Sequence, residues 1–168
     1  MIPERIALAS VTGEAAWGPF AALGPSCVFA RDDQMGGAKG LAIAPALLLV
    51  EDDFLLAATA ESALRDAGFD VREVATSAEE ALNAASSTPF TLAVMDIRLA
   101  TRKDGIECAI ELWKRHGLRS IFATAHYDDQ TRRRAEPAQP LAWLHKPYTM
   151  TSLVLAVSNA VDQLGEEQ

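Results

Sequence analysis

Excess positive charge, cysteine and long apolar runs are what this chain is short of. Fifteen Lys and Arg against 23 Asp and Glu leave a formal net charge of −8. That balance argues against a nucleic-acid binder, because neutralising backbone phosphates requires a basic face. The two cysteines, Cys27 and Cys108, have no metal-ligand spacing and read as free thiols of a reducing compartment. With no run of 18 apolar residues, no membrane-spanning helix is predicted. The start, Met1 to Ser10, carries Glu4 and Arg5 and lacks the basic-then-apolar order of a signal peptide. A cytoplasmic location without membrane insertion is expected. Neither a Gly-x-Gly-x-x-Gly motif nor a P-loop follows the first predicted strand, which weighs against a nucleotide-binding α/β domain.

Apolar residues are plentiful, at 49% of 168 residues, with 23% charged. These figures fit one packed domain with an appendage. The appendage is residues 1–44, rich in Ala and Gly, with Pro3, Pro19, Pro25 and the pair Gly36-Gly37. It shows no sustained period of 2 or 3.6 and is expected to have little structure of its own. Trp17 to Leu23 is a candidate short docked helix, and Met35 a candidate alternative start of translation.

Residues 45–168 form the regular part. Ala46 to Val50 is a continuous apolar run, as in a strand buried on both faces. A helix is predicted from Asp53 to Ala67, with Phe54, Leu55, Ala58 and Leu64 inward and Gly68 as its stop. Phe69 to Val74 is a second strand; Ser77 then caps a helix bearing Ala78, Ala81, Leu82 and Ala85, with Glu80 completing a capping box. Thr91 to Met95 is the third strand, followed by a polar loop to Gly105. Ile106, Ala109, Ile110 and Trp113 fall at helical spacing up to Gly117. Ser120 to Ala123, a short polar helix at Asp128 to Ala135, a strand at Leu141 to Leu144, and an amphipathic helix from Met150 to Leu164 complete the chain. Strands alternating with helices predict a parallel sheet covered on both faces, joined by right-handed crossovers.

Four strand ends carry chemistry: Glu51-Asp52-Asp53, Asp96, Thr124 and Lys146. In a parallel α/β sheet these ends share one edge, where such folds bind ligands. Each residue also has a plain structural reading. Asp52 and Asp53 favour a helix N-terminus, Thr124 a cap, and Lys146-Pro147 a solvated lysine before a helix-starting proline. Their coincidence at one edge favours a joint role. Clustered carboxylates are tolerable when a hard cation neutralises them. Mg²⁺ (or Mn²⁺) would take Asp52 and Asp96, the backbone carbonyl of Arg98 and waters, with Glu51 one shell out. A carboxylate can attack phosphorus to form an aspartyl phosphate. Lys146 would then supply counter-charge and Thr124 a hydrogen bond to the transferred group.

These residues resemble a response-regulator receiver domain over about Leu47 to Leu164. The resemblance rests on Val50-Glu51-Asp52-Asp53, on Asp96 lying 44 residues after Asp52, on Asp104-Gly105, on Thr124-Ala125, and on Lys146-Pro147-Tyr148 with Lys146 22 residues after Thr124. It implies a flavodoxin-like (βα)5 doubly wound fold with strand order 2-1-3-4-5. It implies that a sensor histidine kinase or histidine phosphotransfer protein donates a phosphoryl group to Asp96. It also implies that Thr124 turns toward that group while Trp143 repacks. Phe122-Ala123-Thr124-Ala125-His126-Tyr127 is similar to the Phe-Ala-Thr-Gly-X-Tyr signature of a stand-alone subclass, in which Tyr127 is the alternative coupled aromatic. Ala125 replaces that signature's glycine, and Ala100 stands where most such domains have proline, in a loop one residue longer.

Four residues follow Leu164, so the expectation is a single-domain regulator that acts through contacts with a downstream protein. Arg132, Arg133 and Arg134 are a candidate surface for an acidic partner, or a solvated face. Two other classes remain. A metal-dependent phosphohydrolase with Asp96 as nucleophile usually wants a second acid where Arg98 stands. A pseudo-receiver that takes no phosphate is disfavoured by the complete set Asp52, Asp96, Thr124 and Lys146.

Overall fold

The computed structural model describes residues 44–100 and 103–167. Cys27, Met35 and the Trp17 to Leu23 segment lie outside the described residues. Five strands, β1 (Ala46–Val50), β2 (Asp70–Ala75), β3 (Leu92–Asp96), β4 (Ser120–Thr124) and β5 (Ala142–His145), alternate with five helices. The helices are α1 (Phe54–Asp66), α2 (Ala78–Ser87), α3 (Gly105–His116), α4 (Asp129–Ala135) and α5 (Met150–Glu166), and a 3₁₀ turn at Glu136–Ala138 extends α4. All strand pairs are parallel, in the order β2-β1-β3-β4-β5. This is the doubly wound flavodoxin-like sheet the resemblance implies.

Alternation along the strands splits the core in two. Leu48, Val50, Ala93, Met95 and Phe122 face one side, against Ala81 of α2 and Ile106, Ala109 and Leu112 of α3. Leu47, Leu49, Leu92, Val94 and Ile121 face the other, against Ala60 and Leu64 of α1 and Leu153 and Val157 of α5. The central strands β1, β3 and β4 are buried throughout, which is why their sequences read as unbroken apolar runs. The edge strand β2 exposes Arg72 and Glu73, polar side chains that discourage pairing with another sheet edge.

Two local expectations are corrected. The inward face of α1 is Ala57, Ala60 and Leu64, while Phe54 and Leu55 are 77% and 75% exposed and Ala58 is exposed. Asp53 fixes this phase, because its carboxylate accepts from the Leu55 and Leu56 amides as N-cap, and Phe54 becomes the outward first residue. The capping box predicted at Ser77 and Glu80 is incomplete. Ser77 caps the Glu80 amide, but the Glu80 carboxylate reaches one residue further back, to the Thr76 amide and hydroxyl. The reciprocal box belongs to α3, between Asp104 and Glu107. Gly117, with φ 64°, ends α3 as predicted.

Candidate functional site

The described carboxyl ends of β1, β3, β4 and β5 meet at one edge because the strands are parallel and in register. Glu51 follows β1 and continues its pairing, its amide donating to the Ala75 carbonyl at 3.0 Å. Asp96 and Thr124 are the last residues of β3 and β4. The Lys146 amide donates to the Thr124 carbonyl at 2.8 Å, extending the β4–β5 ladder by one residue, and the Lys146–Pro147 peptide is cis. These three polar side chains are almost fully covered, with Glu51 4%, Asp96 6% and Thr124 3% exposed.

The Lys146 ammonium donates to Glu51 Oε2 and to Asp96 Oδ2, both at 2.7 Å. Glu51, Asp52 and Asp96 each place an oxygen within 4.8 Å of the others. Three carboxylates against one ammonium leave the cluster short of positive charge. Burial pushes the Glu51 carboxyl up to about 7, against the opposing hydrogen bond from Lys146. Burial pulls the Lys146 ammonium down, but its hydrogen bonds to Asp96 and Glu51 outweigh this, so its pKa is raised and it remains charged. An all-oxygen donor set of this kind suits a hard divalent cation, and Asp52, exposed at the mouth, is the carboxylate open to one.

Backbone groups orient the acids. The Arg98 amide donates to Asp96 Oδ1 at 3.0 Å and the Ala100 amide to Asp52 Oδ2 at 2.9 Å. The second contact exists because Ala100 stands where most receiver domains have proline, which has no amide hydrogen to give. Gly105 carries the loop back onto the site. Its amide donates to the Ile97 carbonyl at 3.0 Å, and a Cβ there would lie 1.9 Å from the Asp96 carbonyl oxygen. Only glycine admits that approach.

Thr124 does not donate its hydroxyl hydrogen to the acids. Its hydroxyl donates to the His126 carbonyl at 2.9 Å and accepts from the His126 amide at 3.1 Å. Nor does it cap the following helix, whose N-cap is Asp128. Pro147 likewise stands outside α5, whose N-cap is Thr149. Tyr127 and Trp143, alternatives in the sequence, form one stack. Their rings are 5.1 Å apart edge-on, Trp143 lies 5.0 Å from Phe122 beneath, and the Arg132 guanidinium sits 5.4 Å above the Tyr127 ring. The three arginines of α4 are all exposed, and two of them have side-chain partners. Arg132 covers Tyr127, Arg134 pairs with Asp104, and Arg133 is exposed.

A cavity of about 650 Å³ opens above the acids, lined by Asp52, Arg98, Asp104, Thr124, His126 and Arg134 among others. The family model of the response regulator receiver domain matches residues 47–158. The chain belongs to that family. Among curated relatives, this receiver domain is similar to the transcriptional regulatory protein PdtaR of Mycobacterium tuberculosis, 28% identical over 120 residues covering 71% of this chain and 58% of PdtaR. It is also similar to the phyllosphere-induced regulator PhyR of Methylorubrum extorquens, 30% identical over 131 residues covering 77% of this chain and 48% of PhyR. The chain thus spans about half the length of the curated relatives it matches. Among solved structures, the signal receiver domain of a modulated diguanylate cyclase from Desulfovibrio desulfuricans is 34% identical at a TM-score of 0.68, covering 74% of this chain and 99% of that one. A CheY-like receiver domain protein from Methanospirillum hungatei is 25% identical at 0.68, with the same coverages.

Sequence reasoning gave Glu51 a place behind the metal ligands and did not foresee that it shares Lys146 with Asp96. It missed Arg134, Asp104 as an ion-pair partner, and the Ala100 amide. Among the described residues, Cys108 is a free thiol, buried and pushed up to about 12 by that burial, with its sulfur donating to the Ala78 carbonyl at 3.7 Å. Such a thiol is unreactive. No helix of the described residues is long and apolar enough to cross a membrane.

Proposed function

We propose that this receiver domain accepts a phosphoryl group on Asp96 from the phosphohistidine of a sensor kinase or histidine phosphotransfer protein, and signals through protein contacts. The observation that carries the reading is Lys146 Nζ at 2.7 Å from Asp96 Oδ2, with Glu51 and Asp52 alongside. An Asp96 carboxylate oxygen forms the new P–O bond while the P–N bond to the donor imidazole breaks, the bonding pair remaining on the imidazole nitrogen. Lys146 holds the accepting carboxylate in place and neutralises charge on a phosphoryl oxygen. Glu51 shares the ammonium with Asp96 and keeps it positioned. Asp52 and Asp96, with Glu51 behind them, would hold Mg²⁺ (or Mn²⁺), which supplies further positive charge to the equatorial oxygens when bound.

The Thr124 hydroxyl, now closed on the His126 backbone, would have to leave both of those bonds to meet the phosphoryl group. Tyr127 is the next residue along, so its stack on Trp143 is placed to respond. Downstream contacts would be made by the altered surface around α4 and β5.

Incubation with acetyl phosphate and Mg²⁺, read by intact mass, tests the proposal. The expected result is a gain of one phosphoryl group that is absent in Asp96→Asn and lost on chelation of the metal. Steady hydrolysis of many phosphoesters without a trapped adduct would point instead to a phosphohydrolase, and no adduct at all to a pseudo-receiver.

A further inference from the structure

The ion pair between Arg134 of α4 and Asp104 joins a weakly packed helix to the edge of the acid site. Asp104 is the N-cap of α3 and immediately precedes Gly105, whose Cα packs onto the Asp96 carbonyl. Arg134 therefore sits beside the loop that follows the acceptor, and it lines the same cavity as Asp52 and Thr124. The Lys146 ammonium approaches Asp96 alongside Glu51 and is not among the residues lining this cavity. Asp96 does not line the cavity itself, but its neighbours Ile97 and Arg98 and the facing Asp52 and Thr124 do, and the same wall carries the cations Arg98 and Arg134.

We propose that Arg134 is a further phosphoryl-recognition residue, held on Asp104 until Asp96 carries the group and then drawn to its oxygens. The inference rests on the phosphoacceptor reading of Asp96. The exchange is favoured by charge: a phosphoryl group presents nearly two negative charges and three acceptor oxygens, against one charge on the Asp104 carboxylate. A guanidinium can meet such a group with two parallel donors, and the partly exposed Asp104 pair is of the kind that contributes little by itself. Because Arg134 belongs to the last turn of α4, its movement would carry the charge state of the site into the position of that helix. α4 is free to follow, since it buries only Ala135 among its own residues.

The two ends of the ion pair have opposite expected effects, which a purely structural latch would not give. Equilibrium binding of beryllofluoride, a phosphoryl analogue, in the presence of Mg²⁺ is measured on the full chain and on Arg134→Gln, Asp104→Asn and the double variant. Asparagine caps a helix as well as aspartate does, so Asp104→Asn keeps α3 intact while releasing Arg134. Arg134→Gln is expected to weaken binding by about three- to tenfold, and Asp104→Asn to strengthen it by about two- to threefold, as partly exposed charge contacts do. The gain from Asp104→Asn is expected to vanish in the double variant. If both single variants shift affinity the same way, the pair is only a structural tie. If Asp104→Asn strengthens binding equally without Arg134, the effect is general electrostatics and the proposal is overturned. If the wild type forms no adduct with either beryllofluoride or acetyl phosphate, the phosphoacceptor reading has failed, a result separable from an adduct that ignores Arg134.

Discussion

Helices α3 and α4 follow neighbouring strands, and the N-cap of the first shares a cavity wall with Thr131 and Arg134 of the second, yet they are held by different physics. α3 has a reciprocal capping box, a left-handed glycine at its end and five buried residues, among them Ile106, Ala109 and Leu112. α4 spans seven residues, has an Asp128 cap and buries Ala135, while its arginines reach out to Tyr127 and Asp104. Apolar burial of a large side chain contributes about 1.5–3 kcal/mol, whereas an exposed guanidinium contact contributes at most about 1. The helix that follows Asp96 is fixed by packing, and α4 is fixed by contacts that a change of charge can rearrange. Preorganisation and response are thus divided between adjacent helices.

The sharpest way to break this contrast is to weaken the fixed side. Leu112→Ala opens a cavity where a fully buried leucine joins α3 to the sheet. It is expected to lower unfolding stability by about 2–5 kcal/mol in urea titration. A loss under 1 kcal/mol would mean that α3 is no better anchored than α4.

The acid site offers the next largest effect. Glu51 titrates near 7 when folded and at its ordinary 4.5 when unfolded, so between those values the folded form holds the extra proton. Its contribution to stability is complete below pH 4.5 and is lost as pH rises through 7, on the order of 3 kcal/mol in total. Metal-free protein should therefore become less stable from pH 5 to pH 8, and Glu51→Gln should flatten that slope. An unchanged slope in Glu51→Gln would show that another group titrates in this window. Lys146, whose pKa is raised, contributes only in the alkaline range and does not confound the measurement.

How far this division could be read in advance depended on which forces leave a trace in a sequence. The sheet was legible because β1, β3 and β4 are buried on both faces, so each is a run of apolar residues ending in an acid or hydroxyl. The meeting of Asp52, Asp96 and Lys146 followed from parallel strand order alone. The phase of α1 was not legible: Ala57 and Ala60 carry little hydrophobic signal beside Phe54 and Leu55, and the Asp53 cap decided the outcome. Backbone donors leave no side-chain signature, so the Ala100 amide on Asp52 was invisible, although the missing proline that permits it was plain. The Arg134–Asp104 pair spans thirty residues, and nothing in a run of three consecutive arginines says which of them will find a partner so far along the chain. Thr124 stands at the end of β4 with its hydroxyl bonded to His126, a rotamer choice that no spacing encodes.

The smallest expected effect tests the responsive side. Arg132→Ala removes the guanidinium over Tyr127, an exposed cation–π contact of about 0.5–1 kcal/mol. Global stability should barely change, because α4 adds little to the apolar core. Local opening should change visibly: amide hydrogen exchange over residues 126–135 is expected to rise about two- to fivefold, the factor that such a contact sets on an opening equilibrium. Amides of α3 should exchange as in the wild type, since their protection comes from burial that Arg132 does not touch. If exchange rises equally in both helices, α4 opens only with the rest of the domain, and the separation of a packed acceptor side from a releasable reporting side is lost. If it rises in α4 alone, that helix opens independently of the packed core, and the Arg132 contact on Tyr127 is one of the restraints that hold it closed.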